Sequence, residues 1–209
     1  MSRNSEFSEL RFKLDEAITY GTHRQALKIA REGLREAGQN GLLGEVEYFK
    51  GQLKLLNREF TSAIEHFDAA IRCNPNDGAS YNDRALCMVE IGIIDEALSY
   101  FDKGIEVEPD YATIYHNKGW LLNNIGRHSE AIRYFKKALS LEPGRAVTYD
   151  NLADAFLNLS DFKSALKAYK KVLKLLKPGC CRQIRREITA KIKEIEKSLK
   201  QSTRYKTKV

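Results

Sequence analysis

Four histidines, four cysteines and a run of basic residues carry most of the chemistry open to this 209-residue sequence. His23, His66, His116 and His128 are spread along the chain, and no acid or nucleophile stands at a spacing that would couple to one of them. His116 is the one histidine to follow as a candidate base, although a satisfied polar surface residue is the plainer reading. The sequence has no glycine loop to cradle a phosphate, no zinc-binding helix motif and no serine elbow, so no catalysis is expected.

The cysteines add no redox or metal chemistry. Cys73 and Cys87 fall at helical positions that hold small or apolar residues elsewhere, and Cys180 and Cys181 are adjacent, which strains a disulfide. No C-x-x-C pair with partner histidines is present, so packed or exposed thiols are expected, with no metal and no cofactor.

Basic residues are the remaining feature, and they are unevenly placed. Residues 163–209 hold 16 of the 35 Lys and Arg but three of the 28 Asp and Glu, which leaves the preceding 162 mildly acidic. Lys163, Lys167, Lys170, Lys171, Lys174 and Lys177 precede Arg182, Arg185, Arg186, Lys191, Lys193, Lys197 and Lys200. Such a run attracts phosphates regardless of sequence, so nucleic-acid association through the C-terminal helix and tail is one alternative. Few aromatics interleave for base stacking: Tyr169 is expected in the core and Tyr205 alone is free. A solvated helical face is the plainer reading.

The elements that position these residues are set by repetition. Alanine recurs at Ala63, Ala97, Ala131 and Ala165, a step of 34 residues without insertion, and an aromatic follows four later at Phe67, Phe101, Phe135 and Tyr169. A fixed step survives only if each unit packs on the next in one geometry, which makes the period the mark of stacked helical hairpins. Units 44–77, 78–111, 112–145 and 146–179 share a small eighth residue (Gly51, Ala85, Gly119, Ala153), where helices approach closely. Tyr81, Tyr115 and Tyr149 fill the fourth position. Gly92, Gly126 and Ser160 mark the turns, with Asp95, Ser129 and Asp161 expected to cap the second helices. Pro75, Pro109 and Pro143 close three units, because proline lacks an N–H and pushes its predecessor out of helical geometry.

With Ala70, Gly104 and Ala138 at the twenty-seventh position, this pattern resembles the tetratricopeptide repeat. The last unit departs from it, with Val172 and Lys177 at positions twenty-seven and thirty-two and the proline displaced to Pro178. Residues 7–40 resemble a degenerate first unit through Leu10, Leu14, Ala17, Gly21, Ala26, Ala30 and Gly33, and Gly41 to Leu43 interrupt the period. Ile184, Ile188, Ile192, Ile195 and Leu199 form one apolar stripe. The resemblance implies an all-α, right-handed superhelical solenoid of antiparallel helical hairpins in residues 1–179. An amphipathic basic capping helix over 180–200 and a disordered basic tail, 201–209, complete the expectation. A free amphipathic helix awaiting a partner or a membrane surface is the alternative for the stripe.

The resemblance also implies function: a non-enzymatic protein-interaction scaffold that binds a partner protein or extended peptide in a concave groove lined by first helices. Groove positions carried over are Tyr48, Phe49, Gln52, Asn82, Asp83, Leu86, His116, Asn117, Trp120, Asn124, Asp150, Asn151, Asp154 and Asn158. Asparagines both donate to and accept from a peptide main chain, and the carboxylates favour a neutral or basic segment. Asn117 and Asn151 are equally suited to bridging repeats, and Trp120 to packing between them. One family subset grips acidic chaperone tails with Lys, Asn and Arg; the matching positions here hold Tyr48, Gln52, Asp83, Thr113 and Asn117, or Asn82, Leu86, Asn117, Val147 and Asn151. The basic pairs are missing, so that clamp is not expected. Family arrays also self-associate through end units, which adds a homodimer as an alternative. The N-terminus lacks the apolar core of a signal peptide, and no stretch approaches the roughly 20 apolar residues that span a bilayer, so no membrane contact and a cytoplasmic location are expected.

Overall fold

The computed structural model describes residues 3–176 and 182–206, with side chains over 7–176 and 182–199. Lys177, Pro178, Cys180 and Cys181 and residues 207–209 lie outside the described residues. Eleven helices and no strand occur among the described residues: α1 (Arg3–Tyr20), α2 (His23–Gln39), α3 (Leu43–Leu56), α4 (Phe60–Cys73), α5 (Gly78–Glu90) and α6 (Ile94–Val107), then α7 (Ala112–Asn124), α8 (His128–Leu141), α9 (Ala146–Asn158), α10 (Phe162–Leu175) and α11 (Arg182–Lys206). The fold is an all-α solenoid of helical hairpins. Contacts divide it into a first unit, Met1–Pro109, and a second, Asp110–Val209.

The turn inside each of the four hairpins from α3 to α10 comes from one left-handed residue at the fifteenth repeat position, whereas Gly21 at that place in the degenerate first hairpin is not left-handed. Arg58 (φ 63°), Gly92 (83°), Gly126 (82°) and Ser160 (58°) all adopt it, so the repeat imposes the conformation even where no glycine is present. Capping is less regular than the sequence suggests. Asp161 caps α10 by accepting from the Ser164 N–H at 3.1 Å. Asp95 and Ser129, by contrast, fall in the first turns of α6 and α8, whose cap positions are Ile93 and Arg127. The turn places them too late to cap, and Asp95 acts there through the helix dipole instead. Helices α4, α6 and α8 end two residues before their prolines, with Asn74, Glu108 and Glu142 turned out of helical geometry (φ −139°, −139° and −124°).

Within a hairpin the aromatic at position twenty-four lies on the small residue at position eight. A Cβ on Gly51 would meet the Phe67 ring at 2.7 Å, and one on Gly119 the Phe135 ring at 2.9 Å. Phe67 and Phe101 in the first unit and Phe135 and Tyr169 in the second are fully buried, one closing the core of each hairpin from α3–α4 to α9–α10.

Helix α11 docks against α10. Ile188, Ile192 and Ile195 join Ala165, Tyr169 and Val172 in one cluster, while Ile184 stays exposed. At about 1.5–3 kcal/mol per buried isoleucine, that stripe is sufficient to hold the helix in place. The helix continues to Lys206, beyond the boundary at residue 200 that the stripe alone suggests. At the other end α1 buries Phe7, Leu10 and Leu14 and exposes Phe12, Ile18 and Tyr20. None of the described helices is long and apolar enough to cross a membrane.

Candidate peptide-binding surface

The expected groove residues fall on the first helices of the hairpins, and each unit builds its own wall from them. In the first unit the central group is Asp83 on α5. Its carboxylate accepts from Asn82 Nδ2 at 2.8 Å and from the Gln52 amide of α3, so three of the expected residues meet in one buried cluster. Burial pushes the Asp83 carboxyl up to about 7, opposed by bonds from Asn82 and Tyr48 and reinforced by the charges of Asp15 and Asp77. Gln52 Oε1 is buried beside it, and no hydrogen-bond partner for it occurs among the described residues. Leu86 is half-buried on the same helix.

Phe49 is the first correction to the expected list. It is 0 % exposed, because the degenerate first unit has Gly33 where a larger residue would stand and the Phe49 ring fills that space. A Cβ on Gly33 would lie 2.3 Å from the ring, so Phe49 belongs to the core and not to the wall.

Arg11 is a residue that sequence reasoning missed. Its guanidinium lies 3.7 Å from the centroid of the Tyr48 ring. It donates to Glu45 at 2.9 and 3.0 Å and to Asp77 at 2.7 and 3.1 Å. It thus joins α1, α3 and the start of α5 in one charge-assisted network and covers one face of Tyr48. Arg11 occupies the fifth position of unit 7–40, the position of Tyr48 in the next unit, so extending the register into the degenerate repeat would have found it.

In the second unit His116 lies between α7 and α9 and not on open surface. It is 7 % exposed, with Thr148 Oγ1 3.0 Å from Nδ1 and Asn151 Nδ2 3.5 Å from Nε2. An amide nitrogen can only donate, so Nε2 accepts and the Nδ1–H donates to Thr148. Burial, with the charge of Arg145, pulls the ring down to about 3, so it is neutral near pH 7 and ill suited as a base. His116 and Asn151 are therefore engaged in joining repeats. A second bridge joins the far ends of the same helices, where Asn123 Oδ1 receives Asn158 Nδ2 at 3.2 Å and His128 Nδ1 at 2.7 Å.

Asp150 and Asp154 meet the chain's own last helix. Lys191 of α11 donates to Asp154 at 2.9 and 3.3 Å and stands 3.9 Å from Asp150, an ion-pair distance that is too long for a hydrogen bond. Asp154 also accepts from the Tyr169 hydroxyl. Burial raises the Asp150 carboxyl above the usual range despite Lys191. Asn117 and Trp120 are half-buried and Asn124 and Asn158 exposed, which leaves these four as the more accessible part of this wall. No group of three or more His, Cys, Asp and Glu arranged to hold a metal occurs among the described residues.

Comparison with known proteins agrees with this architecture. Family models described as tetratricopeptide repeat match residues 48–106, 112–145 and 146–175. Hsp70-Hsp90 organizing protein 3 of Arabidopsis thaliana is 30% identical over 71 residues, a match that spans 34% of this chain and only 13% of that protein. Among solved structures, TTC0263, a thermophilic protein of Thermus thermophilus, superposes with a TM-score of 0.69 at 20% identity, over 89% of this chain and 96% of that one. MamA superposes with a TM-score of 0.58 at 21% identity, over 78% and 93%. The first repeat domain of Spaghetti (RPAP3), solved with the HSP90 peptide SRMEEVD, gives 0.53 at 20% identity, over 59% and 93%.

Proposed function

The chain belongs to the tetratricopeptide repeat family, and from that premise we propose that it is a non-enzymatic interaction scaffold in which the first-helix walls take an extended, neutral or basic segment of a partner protein. The observation that carries this reading is the Asp83 cluster: a buried carboxyl held by two amides, beside the unpartnered acceptor Gln52 Oε1. Gln52 Oε1 lacks a donor, and a peptide N–H or a lysine head supplies one. Lys191 on Asp154 is an internal precedent, since the wall of the second unit already holds a cation delivered by a helix.

The acidic HSP90 peptide seen with Spaghetti (RPAP3) is the opposite kind of ligand. Here Tyr48, Thr113 and Asn117 stand where that recognition mode needs basic groups, and a carboxylate brought to Asp83 would be repelled. The reading includes a cytoplasmic location. End-to-end self-association is a second reading supported by Phe12 and Tyr20, both exposed and about 80° apart around α1. Nucleic-acid binding by α11 has weaker support, because Arg185 donates to the Leu173 and Leu176 carbonyls, Lys191 to Asp154, and Lys170 of α10 to Glu196.

The test is partner capture from a native lysate with the intact chain, with Gln52→Ala/Asp83→Ala, and with Asn117→Ala/Trp120→Ala, at low and high salt. Loss of a salt-resistant protein partner in either variant is the expected result. Retention of every partner by both folded variants contradicts it, and nucleic acid recovered only at low salt favours the α11 alternative.

A further inference from the structure

A different site lies where the first helix α9 meets the second helices α8 and α10. Helices α8, α9 and α10 enclose an open trough of about 860 Å³ in the second unit. Its floor is apolar, from Tyr149, Leu152, Phe156 and Leu166, and its rim includes Lys136, Lys163, Lys167, Lys171 and Lys174. No carboxylate is among the described residues that line it.

The repeat register shows what sets this trough apart. In the first unit the same space between α4, α5 and α6 is filled by the chain itself: Arg84 donates to Asp68 at 2.6 Å and lies 3.7 Å from the Tyr100 ring centroid. The residues at those three repeat positions in the last hairpin pair are Leu152 for Arg84, Lys136 for Asp68 and Ala168 for Tyr100. The bridging cation is gone, its acceptor has become a cation, and the ring that closed the space has become a methyl group. Glu65, Asp95 and Glu106 in other repeats likewise correspond to Lys167, Lys163 and Lys174 here.

We propose that this trough docks an acidic segment of a partner protein, with one or two apolar side chains on the floor and carboxylates on the lysine rim. Charge complementarity selects the sign of the ligand, and the floor selects a peptide over a sugar-phosphate strand. The two rings present, Phe156 and Tyr149, each already have an ammonium over one face, Lys136 and Lys171 at 5.8 Å, which competes with stacking of a base there. This site is separate from the first-helix walls and has the opposite charge preference.

The test is fluorescence anisotropy on the intact chain with a dye-labelled peptide of Glu and Asp flanking a central Leu-Phe pair. Two competitors accompany it: poly-glutamate of equal charge and oligo-dT. Two variants are compared by circular dichroism and binding: Lys167→Glu/Lys171→Glu, both exposed, and Ala168→Tyr, which refills the trough without changing charge. The expected result is a loss of about tenfold or more in affinity for the charge variant and a clear loss for Ala168→Tyr, with both competitors weaker than the peptide. Unchanged peptide binding in the folded charge variant overturns the proposal. So does competition by poly-glutamate as strong as the peptide's own, which makes the floor irrelevant, or by oligo-dT, which assigns the rim to nucleic acid.

Discussion

Asp83 and His116 are buried ionisable groups that burial pushes in opposite directions, and their pH signatures oppose each other. Asp83 rises from 3.8 to about 7, so the folded chain holds a proton that the unfolded chain has lost, and stability falls as pH rises through that window. His116 drops from 6.5 to about 3, so the unfolded chain binds the extra proton and stability falls as pH drops below 6.5. Each contributes a slope of up to about 1.4 kcal/mol per pH unit, and the slopes cancel between roughly pH 4 and 6.5. Urea titrations should therefore show Asp83→Asn gaining stability relative to the parent by about 1–3 kcal/mol from pH 4 to pH 8. His116→Gln should gain by a similar amount, about 1–3 kcal/mol, from pH 7 down to pH 4. Parallel curves for parent and variant would mean that the group is solvated and the wall around it open. The Asp83 sign also bears on binding: a lysine-containing ligand should bind the first unit more tightly as pH rises through about 7.

At the scale of elements, the fifteenth position of the four regular repeats, though not of the degenerate first one, is a conformational requirement and not a preference for glycine. Gly92 has open space around its Cβ direction but a φ of +83°, so Gly92→Ala should cost about 1–2 kcal/mol from backbone strain alone. Arg58→Gly, at φ 63°, should gain about 0.5–1 kcal/mol, both read by chemical denaturation. Ile188→Ala on α11 should cost about 2–4 kcal/mol and loosen the helix from α10, visible as faster amide exchange along it. Much of this level was legible in the sequence, because the small residue at eight, the aromatic at twenty-four and the proline at thirty-two are local demands repeated four, four and three times. The fate of individual wall residues was less so. Register alone puts Phe49 and His116 on a ligand-facing surface; only the identity of their neighbours, Gly33 for one and Thr148 for the other, turns them inward. Arg11 was hidden for a related reason, since a degenerate repeat conceals the position that gives it a role.

For the whole molecule, the basic C-terminal stretch read from sequence divides into parts with different fates. Lys191 and Lys170 meet Asp154 and Glu196 within the chain, whereas Lys163, Lys167 and Lys174 rim a trough without carboxylates. The first-helix walls and the trough between α8, α9 and α10 thus offer surfaces of opposite charge preference, and salt separates them: the rim's ligand should be lost steeply with added salt and the buried polar wall's ligand much less. The central claim is that the first-helix walls receive the partner. Amide hydrogen exchange on the chain saturated with its salt-resistant partner tests it most directly: the account predicts protection that includes α3 and α5 or α7, and protection confined to α4 and α6 or to α8, α9 and α10, the helices that line the trough, would contradict it.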